Sequence, residues 1–400
     1  MAFRMFGAEE LAALQAVIES QELWRGLGGN FVARLEDAFG ERVGRKYAHA
    51  VCSGTSANEA ALAAAGIGPG DEVICPPCSF IASSLAAVGL GGVPVFADVD
   101  PRNLIVTAEA IEAAITPRAK AVVVVHLWGI PADMGPIMEV ARKHKLAVVE
   151  DCAQAYSSYY RGQLAGTFGD ATCYSLQQSK HITSGEGGLV TTNDPQGYAR
   201  AALYSNCGMP WFRDKVAAPQ PEPVAGIATR GHFAFGHNYR MSELQGAAAL
   251  AQLGKIDRFN ARRAEIVAVI EEELSDVPGV RLAYTYADSQ PSYWSYPLWL
   301  DPEQTDLTTA DLDFGRYNEV NYLEQVFQQM QRERRTSVGY PLPDYVRYEL
   351  GICPNAEAGA KRLFNLWPHP LGGDPEQMRD KARAIAAKMR EIMGKGAEPG

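Results

Sequence analysis

The chain lacks several features that mark whole classes of protein. It contains no run of about 18 apolar residues, the length that a membrane-spanning helix requires, and its first ten residues lack the pattern of a secretory signal peptide. It also has no excess of positive charge, since 47 Asp and Glu against 37 Lys and Arg give a formal net charge of −10. We therefore expect no membrane segment and no nucleic-acid binding through a basic face, although local arginines can still hold an anionic substrate.

Cysteine is also scarce, with seven in 400 residues. The one compact pair, Cys75 and Cys78 in Cys-Pro-Pro-Cys, has no second pair that would complete a zinc site. An odd number of cysteines without regular spacing argues against a disulfide scaffold and suits a reducing cytosol. We therefore predict a cytoplasmic protein without a metal site. Redox chemistry at Cys-Pro-Pro-Cys is the alternative that the sequence leaves open.

Hydrophobic residues, in contrast, make up 47% of the chain, and they occur in short runs that alternate with helical segments. This alternation predicts a mostly parallel sheet with helices on both faces, which is an α/β fold in three layers. The four valines at 122–125 are typical of a strand buried on both faces. We predict a large α/β domain over residues 1–250 and a smaller α+β domain over residues 251–400, in which residues 293–300 form a strand with one face toward water.

Lys180 is the most informative residue of the chain. It follows a predicted strand at 171–176 and precedes the glycine-rich turn 185–188. Open α/β sheets carry their chemistry in loops at strand ends. A partly desolvated lysine in such a loop can lose its proton and attack a carbonyl carbon, as Schiff-base lysines do. Taken alone, Lys180 is better explained as a surface lysine before a turn.

Three further segments carry polar residues at the ends of predicted elements. The run 53–56, Ser-Gly-Thr-Ser, opens a helix whose free N–H groups suit a phosphate, although the same residues are ordinary helix caps. Asp151 ends a buried strand, where a carboxylate can hold a ring nitrogen protonated, although an isolated aspartate in this position is better explained as a helix cap. The segment 235–243 leads into another helix, which Ser242 can cap.

In this order the four segments resemble the DegT/DnrJ/StrS aminotransferases. These are fold-type I enzymes that use pyridoxal 5'-phosphate (PLP) and act mostly on nucleotide-linked keto-sugars and on cyclitols. The resemblance extends from about residue 24 to about residue 253, with supporting stretches at 70–77, 93–100 and 125–129. It implies transfer of an amino group from an amino acid, glutamate or glutamine, to a ketone on a sugar or cyclitol, in the biosynthesis of an amino sugar or antibiotic.

The resemblance also implies a role for each matching residue. Lys180 is the lysine that bonds to the cofactor, and Asp151 pairs with its pyridine nitrogen. The other positions that it assigns to the cofactor are Gln154 beside the phenolic oxygen, Phe80 stacked on the ring, and Gly54, Thr55, Ser56 and Ser175 around the phosphate. Phe80 is equally explained as a core aromatic. Asn238 matches a residue that reaches the phosphate in a neighbouring subunit, which implies a homodimer with shared active sites.

The substrate is less well defined by the sequence. The family often has His-Gly where this chain has Tyr156-Ser157, and the pocket is also bordered by Cys152 and Asn58-Glu59 in place of the common residues. Our candidates for substrate contact are Tyr156, His181 and Arg240, with Trp24, Trp211, Arg230 and His232 as further possibilities. The Gln177-Gln178 pair is similar to the branch of the family that aminates cyclitols.

A dehydratase branch of the family supplies the main alternative function. Its loop resembles 180–183, Lys-His-Ile-Thr, but carries histidine in place of the lysine. Because Lys180 allows both attachment of the cofactor and transfer of a proton, transamination fits this chain best. Dehydration or deoxygenation by PLP chemistry on the same scaffold stays the alternative, and a non-catalytic relative is disfavoured because Lys180 and Asp151 are both retained.

Overall fold

The computed structural model describes residues 5–210, 230–310, 320–367 and 374–395. Trp211 and most of the proline-rich stretch before His232 lie outside these ranges. The helices are α1 Ala8–Ser20, α2 Phe31–Val43, α3 Gly54–Ala64, α4 Ala82–Gly89, α5 Ala108–Ala113, α6 Met134–His144, α7 Pro195–Ser205, α8 Glu243–Leu253, α9 Ile256–Leu274, α10 Gln325–Glu333, α11 Pro354–Ala360 and α12 Pro375–Lys395. The strands are β1 Tyr47–Val51, β2 Glu72–Cys75, β3 Val93–Phe96, β4 Ala119–Val125, β5 Ala147–Asp151, β6 Tyr159–Tyr160, β7 Gln163–Leu164, β8 Ala171–Ser175, β9 Gly188–Thr192, β10 Val280–Arg281, β11 Ser289–Gln290, β12 Tyr296–Leu300 and β13 Leu363–Leu366.

A seven-stranded sheet with the order β1-β9-β8-β5-β4-β2-β3 forms the centre of the molecule. Neighbours from β3 to β8 pair in parallel, and β9 alone runs antiparallel to both of its neighbours. Strand β9 runs antiparallel to β8 because the connection between them contains no helix, and two adjacent parallel strands need a crossover connection. The predicted α/β fold is confirmed, and the valines at 122–125 are buried on the interior strand β4.

A second, three-stranded antiparallel sheet with the order β10-β12-β13 lies in the C-terminal part of the chain. All five residues of β12 are buried, so the predicted water-facing side of this strand is wrong. Tyr296, Leu298 and Leu300 pack in a core with residues of α9 and α12, whereas Trp299 belongs to the core of the large sheet. Alternate residues of β12 therefore face two different cores, and neither face of the strand is in water.

The topology brings several loops to one edge of the large sheet. Strands β4, β5 and β8 run in the same direction, so Val125, Asp151 and Ser175 all lie at their carboxyl ends. Ligands of open α/β sheets bind at this edge because the loops that leave it are free to carry polar groups. No helix in the described ranges combines the length and the apolar character needed to cross a membrane.

Candidate active site

A cavity of about 460 Å³ opens at the carboxyl edge of the sheet. Its volume is in the range of small-molecule sites. Seven of the predicted cofactor residues line it together: Gly54, Thr55, Phe80, Asp151, Gln154, Ser175 and Lys180. These residues come from four separate segments, which the βα topology brings to one place: the start of α3, the loop before α4, and the ends of β5 and β8 with the loops that follow them.

Lys180 lies in the loop after β8, where its side chain is 8% exposed. Its backbone N–H donates to the carbonyl of Gln177 at 2.9 Å, and its Nζ lies 3.9 Å from the centre of the Trp294 ring. Burial is the main cause that lowers the pKa of the Lys180 amine to about 8; the charge of Arg263 acts in the same direction, and the carboxylate of Asp151 opposes it. The amine is therefore neutral, and nucleophilic, in a much larger fraction of molecules near pH 8 than an exposed lysine is.

Asp151 ends β5 and is 4% exposed. Its carboxylate accepts three hydrogen bonds, from Asn58 Nδ2 at 3.0 Å, from Ser83 Oγ at 2.9 Å and from the backbone N–H of Ala153 at 3.0 Å. All of these contacts suit an ionised acceptor. The carboxylate is thus held at one side of the cavity, where it can pair with a positively charged nitrogen of a ligand.

The start of α3 forms another wall of the cavity. Ser53 caps the helix, since its Oγ accepts from the backbone N–H of Ser56 at 3.1 Å. Gly54 approaches Ser175 so closely that a Cβ at position 54 would lie 2.7 Å from the Ser175 Cβ and Oγ. Thr55 is exposed toward the cavity. Free N–H groups and hydroxyls at a helix start are suited to a phosphate or another anion.

Ser56 differs from the prediction, because it does not line the cavity. Its Oγ donates to the carbonyl of Ser53 at 2.8 Å and accepts from the backbone N–H of Ser53 at 3.0 Å, so the side chain is turned inward and is 2% exposed. Ser53 takes its place in the cavity wall. The capping box therefore decides which serine can contact a ligand.

Phe80 and Gln154 border the cavity in different ways. Phe80 is 58% exposed, so the alternative that it is a core aromatic is wrong. Gln154 is buried, and its Oε1 accepts from the backbone N–H of Trp128 at 2.8 Å. Trp128 has a φ of 64°, a conformation that is unusual for a residue other than glycine, and this hydrogen bond helps to hold it.

The structure does not bring Tyr156 or His181 into the cavity. The hydroxyl of Tyr156 donates to the carbonyl of Ser175 at 2.8 Å, and the ring packs against Phe39 in a buried aromatic cluster. His181 is fully buried, with its Nε2 3.2 Å from the carbonyl oxygen of Ser292. Both side chains point to the side of the loop away from the cavity, so they support the site from behind.

Arg240 and Trp24 line a separate cavity of about 350 Å³. Arg240 donates from one guanidinium nitrogen to Asn206 Oδ1 at 2.9 Å. Asn238 lies nearby along the chain and is exposed; it does not line the first cavity. Arg230 and His232 are exposed and line neither cavity.

Cys75 and Cys78 are buried thiols whose surroundings do not favour redox chemistry. Burial raises the pKa of both far above the ordinary value of a cysteine, so few thiolates form. Within the described ranges, no three His, Cys, Asp or Glu side chains group together as metal ligands would. All seven cysteines of the chain are free.

Several cavity residues were not assigned to the cofactor or the substrate from the sequence, although Ser53, Asn58 and Gln177 were noted there: Ser53, Asn58, Ser79, Ala82, Ser83, Val125, Ala153, Gln177, Ser179, Glu186, Trp294 and Trp367. Asn58 had a signal, because it departs from the leucine-rich helix start of the family. No sequence signal pointed to Trp294, since it lies more than a hundred positions from Lys180. It is brought to the site by the fold of the second sheet, because it lies just before β12. Its Nε1 donates to the carbonyl of Ser179 at 2.7 Å, which fixes the ring beside the lysine.

Comparisons with known proteins find relatives that match most of the chain. The model of the DegT/DnrJ/EryC1/StrS aminotransferase family matches residues 5–373. GDP-perosamine synthase of Caulobacter vibrioides is 39% identical over 283 residues, which cover 69% of this chain and 71% of the relative. L-glutamine:2-deoxy-scyllo-inosose aminotransferase of Streptomyces kanamyceticus is 37% identical over 355 residues, which cover 85% and 81%.

Among solved structures, the aminotransferase from Psychrobacter cryohalolentis superimposes with a TM-score of 0.82 at 29% identity, covering 98% of this chain and 99% of the other. The match spans both the large sheet and the C-terminal part. The chain therefore belongs to the DegT/DnrJ/EryC1/StrS aminotransferase family.

Proposed function

We propose that this protein uses PLP to transfer an amino group from glutamine or glutamate to a ring ketone on a nucleotide-linked sugar or on a cyclitol. The observation that carries the proposal is the single cavity in which Lys180, Asp151 and the start of α3 meet. The substrate class is supported by the two relatives, one named for a GDP-linked amino sugar and the other for a cyclitol ketone.

The residues of the cavity fit the three reactive parts of PLP. An aldehyde needs an amine, which Lys180 offers; a phosphate needs an anion site, which the α3 start and Ser175 offer; and a protonated ring nitrogen needs a carboxylate, which Asp151 offers. Phe80 presents an exposed aromatic face at the same cavity, suited to an aromatic ring.

When bound, PLP would supply an electron sink that stabilises negative charge on the carbon bearing the amino group. The chain's own residues would do the rest. Lys180 Nζ, whose pKa is lowered to about 8, can both accept a proton from a substrate carbon and return it. Asp151 would keep its negative charge close to the cofactor ring, and the apolar surfaces of Trp294 and Phe80 would limit the access of water.

A pair of half-reactions tests the function. The PLP-loaded enzyme is incubated with L-glutamine or L-glutamate until its visible absorption is lost, and the donor is then removed. We expect either a GDP-linked keto-sugar or 2-deoxy-scyllo-inosose to restore the absorption and to appear as the amine by mass spectrometry. Restoration with release of a deoxygenated product that carries no new nitrogen would instead support the dehydratase alternative.

We also infer that the protein is a cytoplasmic homodimer in which each active site uses residues of both subunits. Free thiols at all seven cysteines suit a reducing compartment. The segment around Asn238 supports the dimer, because Asn238 is exposed and the neighbouring Phe235 has its whole side chain in solvent. A fully exposed phenylalanine next to a predicted ligand of the phosphate is typical of an interface residue.

Mixing two inactive variants tests the shared site. Lys180→Ala and Asn238→Asp homodimers should each be impaired, the second because a carboxylate repels the phosphate. In a mixed dimer with shared sites, one site carries both defects and the other carries neither, so activity should rise well above the average of the parents. The assay is transamination after subunit exchange at a one-to-one ratio.

Each parent mixed with itself is the control for the exchange procedure. Activity that stays at the parental average would show that Asn238 serves its own subunit. A monomer in light scattering at the assay concentration would contradict the dimer itself.

A further inference from the structure

We propose that Asn58 and Ser83 are positioning residues, which hold the Asp151 carboxylate in the one orientation from which it can act on the cofactor. The proposal rests on the proposed function and adds two residues to it. Neither residue was assigned a role from the sequence.

The geometry is a set of converging hydrogen bonds. Asn58 Nδ2 and Ser83 Oγ both donate to Asp151 Oδ2, at 3.0 and 2.9 Å, while the other oxygen, Oδ1, accepts from the backbone N–H of Ala153. Asn58 and Ser83 are each only 2% exposed. Both side chains are directed at the carboxylate and little of either is exposed, so the orientation of the carboxylate depends on these two donors.

The two donors come from separate units of the fold. Asn58 belongs to α3, which follows β1, and Ser83 belongs to α4, which follows β2. Asp151 ends β5, and it lies 93 and 68 positions from the two donors. The carboxylate is therefore tied to two helices at once, and a rotation about its side-chain bonds breaks at least one of the contacts.

The Asn58 side chain is turned so that its Nδ2, which can only donate, faces the Asp151 carboxylate. The orientation of the Asn58 amide has a cost, because its Oδ1 is buried and has no hydrogen-bond partner among the described residues. Nδ2 donates to Asp151 at 3.0 Å and, more weakly, to the Gly54 carbonyl at 3.4 Å, so the donor side of the amide decides its orientation.

The test is a set of variants compared in two backgrounds. Ser83→Ala and Asn58→Leu each remove one donor, and leucine is the kind of residue that the family often has at the α3 start. We expect each to lower kcat roughly 10- to 100-fold, because a hydrogen bond to a charged group is worth a factor of that order, and to change the KM for the amino donor much less. Ser83→Thr, which keeps the hydroxyl, should restore most of the activity.

The matched control is Ser84→Ala. Ser84 is as deeply buried as Ser83, but its Oγ donates to the carbonyl of Ile81 at 3.0 Å. Both substitutions remove one oxygen from neighbouring buried positions. Ser84→Ala should leave kcat within about twofold of the wild type, so a general packing defect is distinguished from an effect on Asp151.

A double-mutant cycle with Asp151→Asn decides whether the donors act through the carboxylate. In that background, Ser83→Ala and Asn58→Leu should have little further effect on kcat. A second readout does not depend on turnover: the dissociation constant of PLP and the pH dependence of its visible absorption should change in Ser83→Ala and not in Ser84→Ala.

Two outcomes separate this inference from the proposed function. If Asp151→Asn is damaged but Ser83→Ala and Asn58→Leu turn over like the wild type, the positioning role is wrong and the function stands. If Asp151→Asn itself is fully active, the proposed role of the carboxylate fails first. Equal losses in the wild-type and Asp151→Asn backgrounds would also overturn the positioning role.

Discussion

Lys180→Ala is expected to remove the covalent attachment of PLP and to lower transamination by at least about 10³-fold, since the side chain would serve as both nucleophile and proton carrier. The fold should persist. The amine of Lys180 faces the cavity, and the contacts that hold its loop, such as the bond from the Lys180 N–H to Gln177, are made by the backbone. Borohydride reduction followed by mass spectrometry of the peptide around position 180 measures the attachment directly.

The matched control for this prediction is Lys46→Ala. Lys46 is exposed and lines neither of the two larger cavities, so its loss should leave both the trapped cofactor and the activity unchanged. A thermal melt of both variants checks the fold. Borohydride-stable PLP in Lys180→Ala, at the stoichiometry found for the wild type, would rule out the role of Lys180.

Asp151→Asn has the second large expected effect. The substitution keeps the shape of the side chain but removes its charge, and an amide –NH2 group must then face either the Asn58 and Ser83 donors or the Ala153 N–H. PLP should still bind and still be trapped on Lys180. The proton-transfer step should slow by about 10²- to 10³-fold, the scale of losing one electrostatic group in an active site. Single-turnover loss of the visible absorption after addition of L-glutamate measures this step.

The element that follows Asp151 is β6 and not a helix, so the alternative that it caps a helix is wrong. A purely structural role, in which Asp151 only accepts the Ala153 N–H in the turn after β5, makes the opposite prediction, because asparagine accepts such backbone hydrogen bonds as well as aspartate does. Asp194, which caps α7 by accepting from the N–H groups of Gln196 and Gly197, supplies the comparison. Asp194→Asn should be close to the wild type in both stability and rate. If Asp151→Asn behaves in the same way, its carboxylate has no special role in the reaction.

Much of the fold follows from local patterns in the chain. Strand β4 is almost entirely valine and alanine, because a strand covered on both faces has no polar side to display, and that composition predicted its central position. The alternation of such strands with helices led to the parallel sheet. Lys180 and Asp151 stood out because each follows a buried strand, and parallel strands end at a common edge.

These patterns do not predict the direction in which a side chain in a loop points. Ser53 and Ser56 are the same residue three positions apart, and the capping box, not their composition, turns Ser56 inward and leaves Ser53 at the cavity. Tyr156 and His181 flank the site in sequence, yet both pack behind it. Phe80 is exposed, although its aromatic side chain is of a type that is often buried in a core.

The sequence by itself determined the class of fold, the family, and the lysine and carboxylate of the candidate site, because each of these depends on short-range order along the chain. Only the tertiary structure decided which distant side chains meet them. Asn58 and Ser83 reach Asp151, and Trp294 reaches Lys180, from elements that lie far away in sequence. Hydrophobic periodicity records whether a residue is buried; it does not record which helix starts and strand ends converge, and that depends on how the sheets and helices pack against one another.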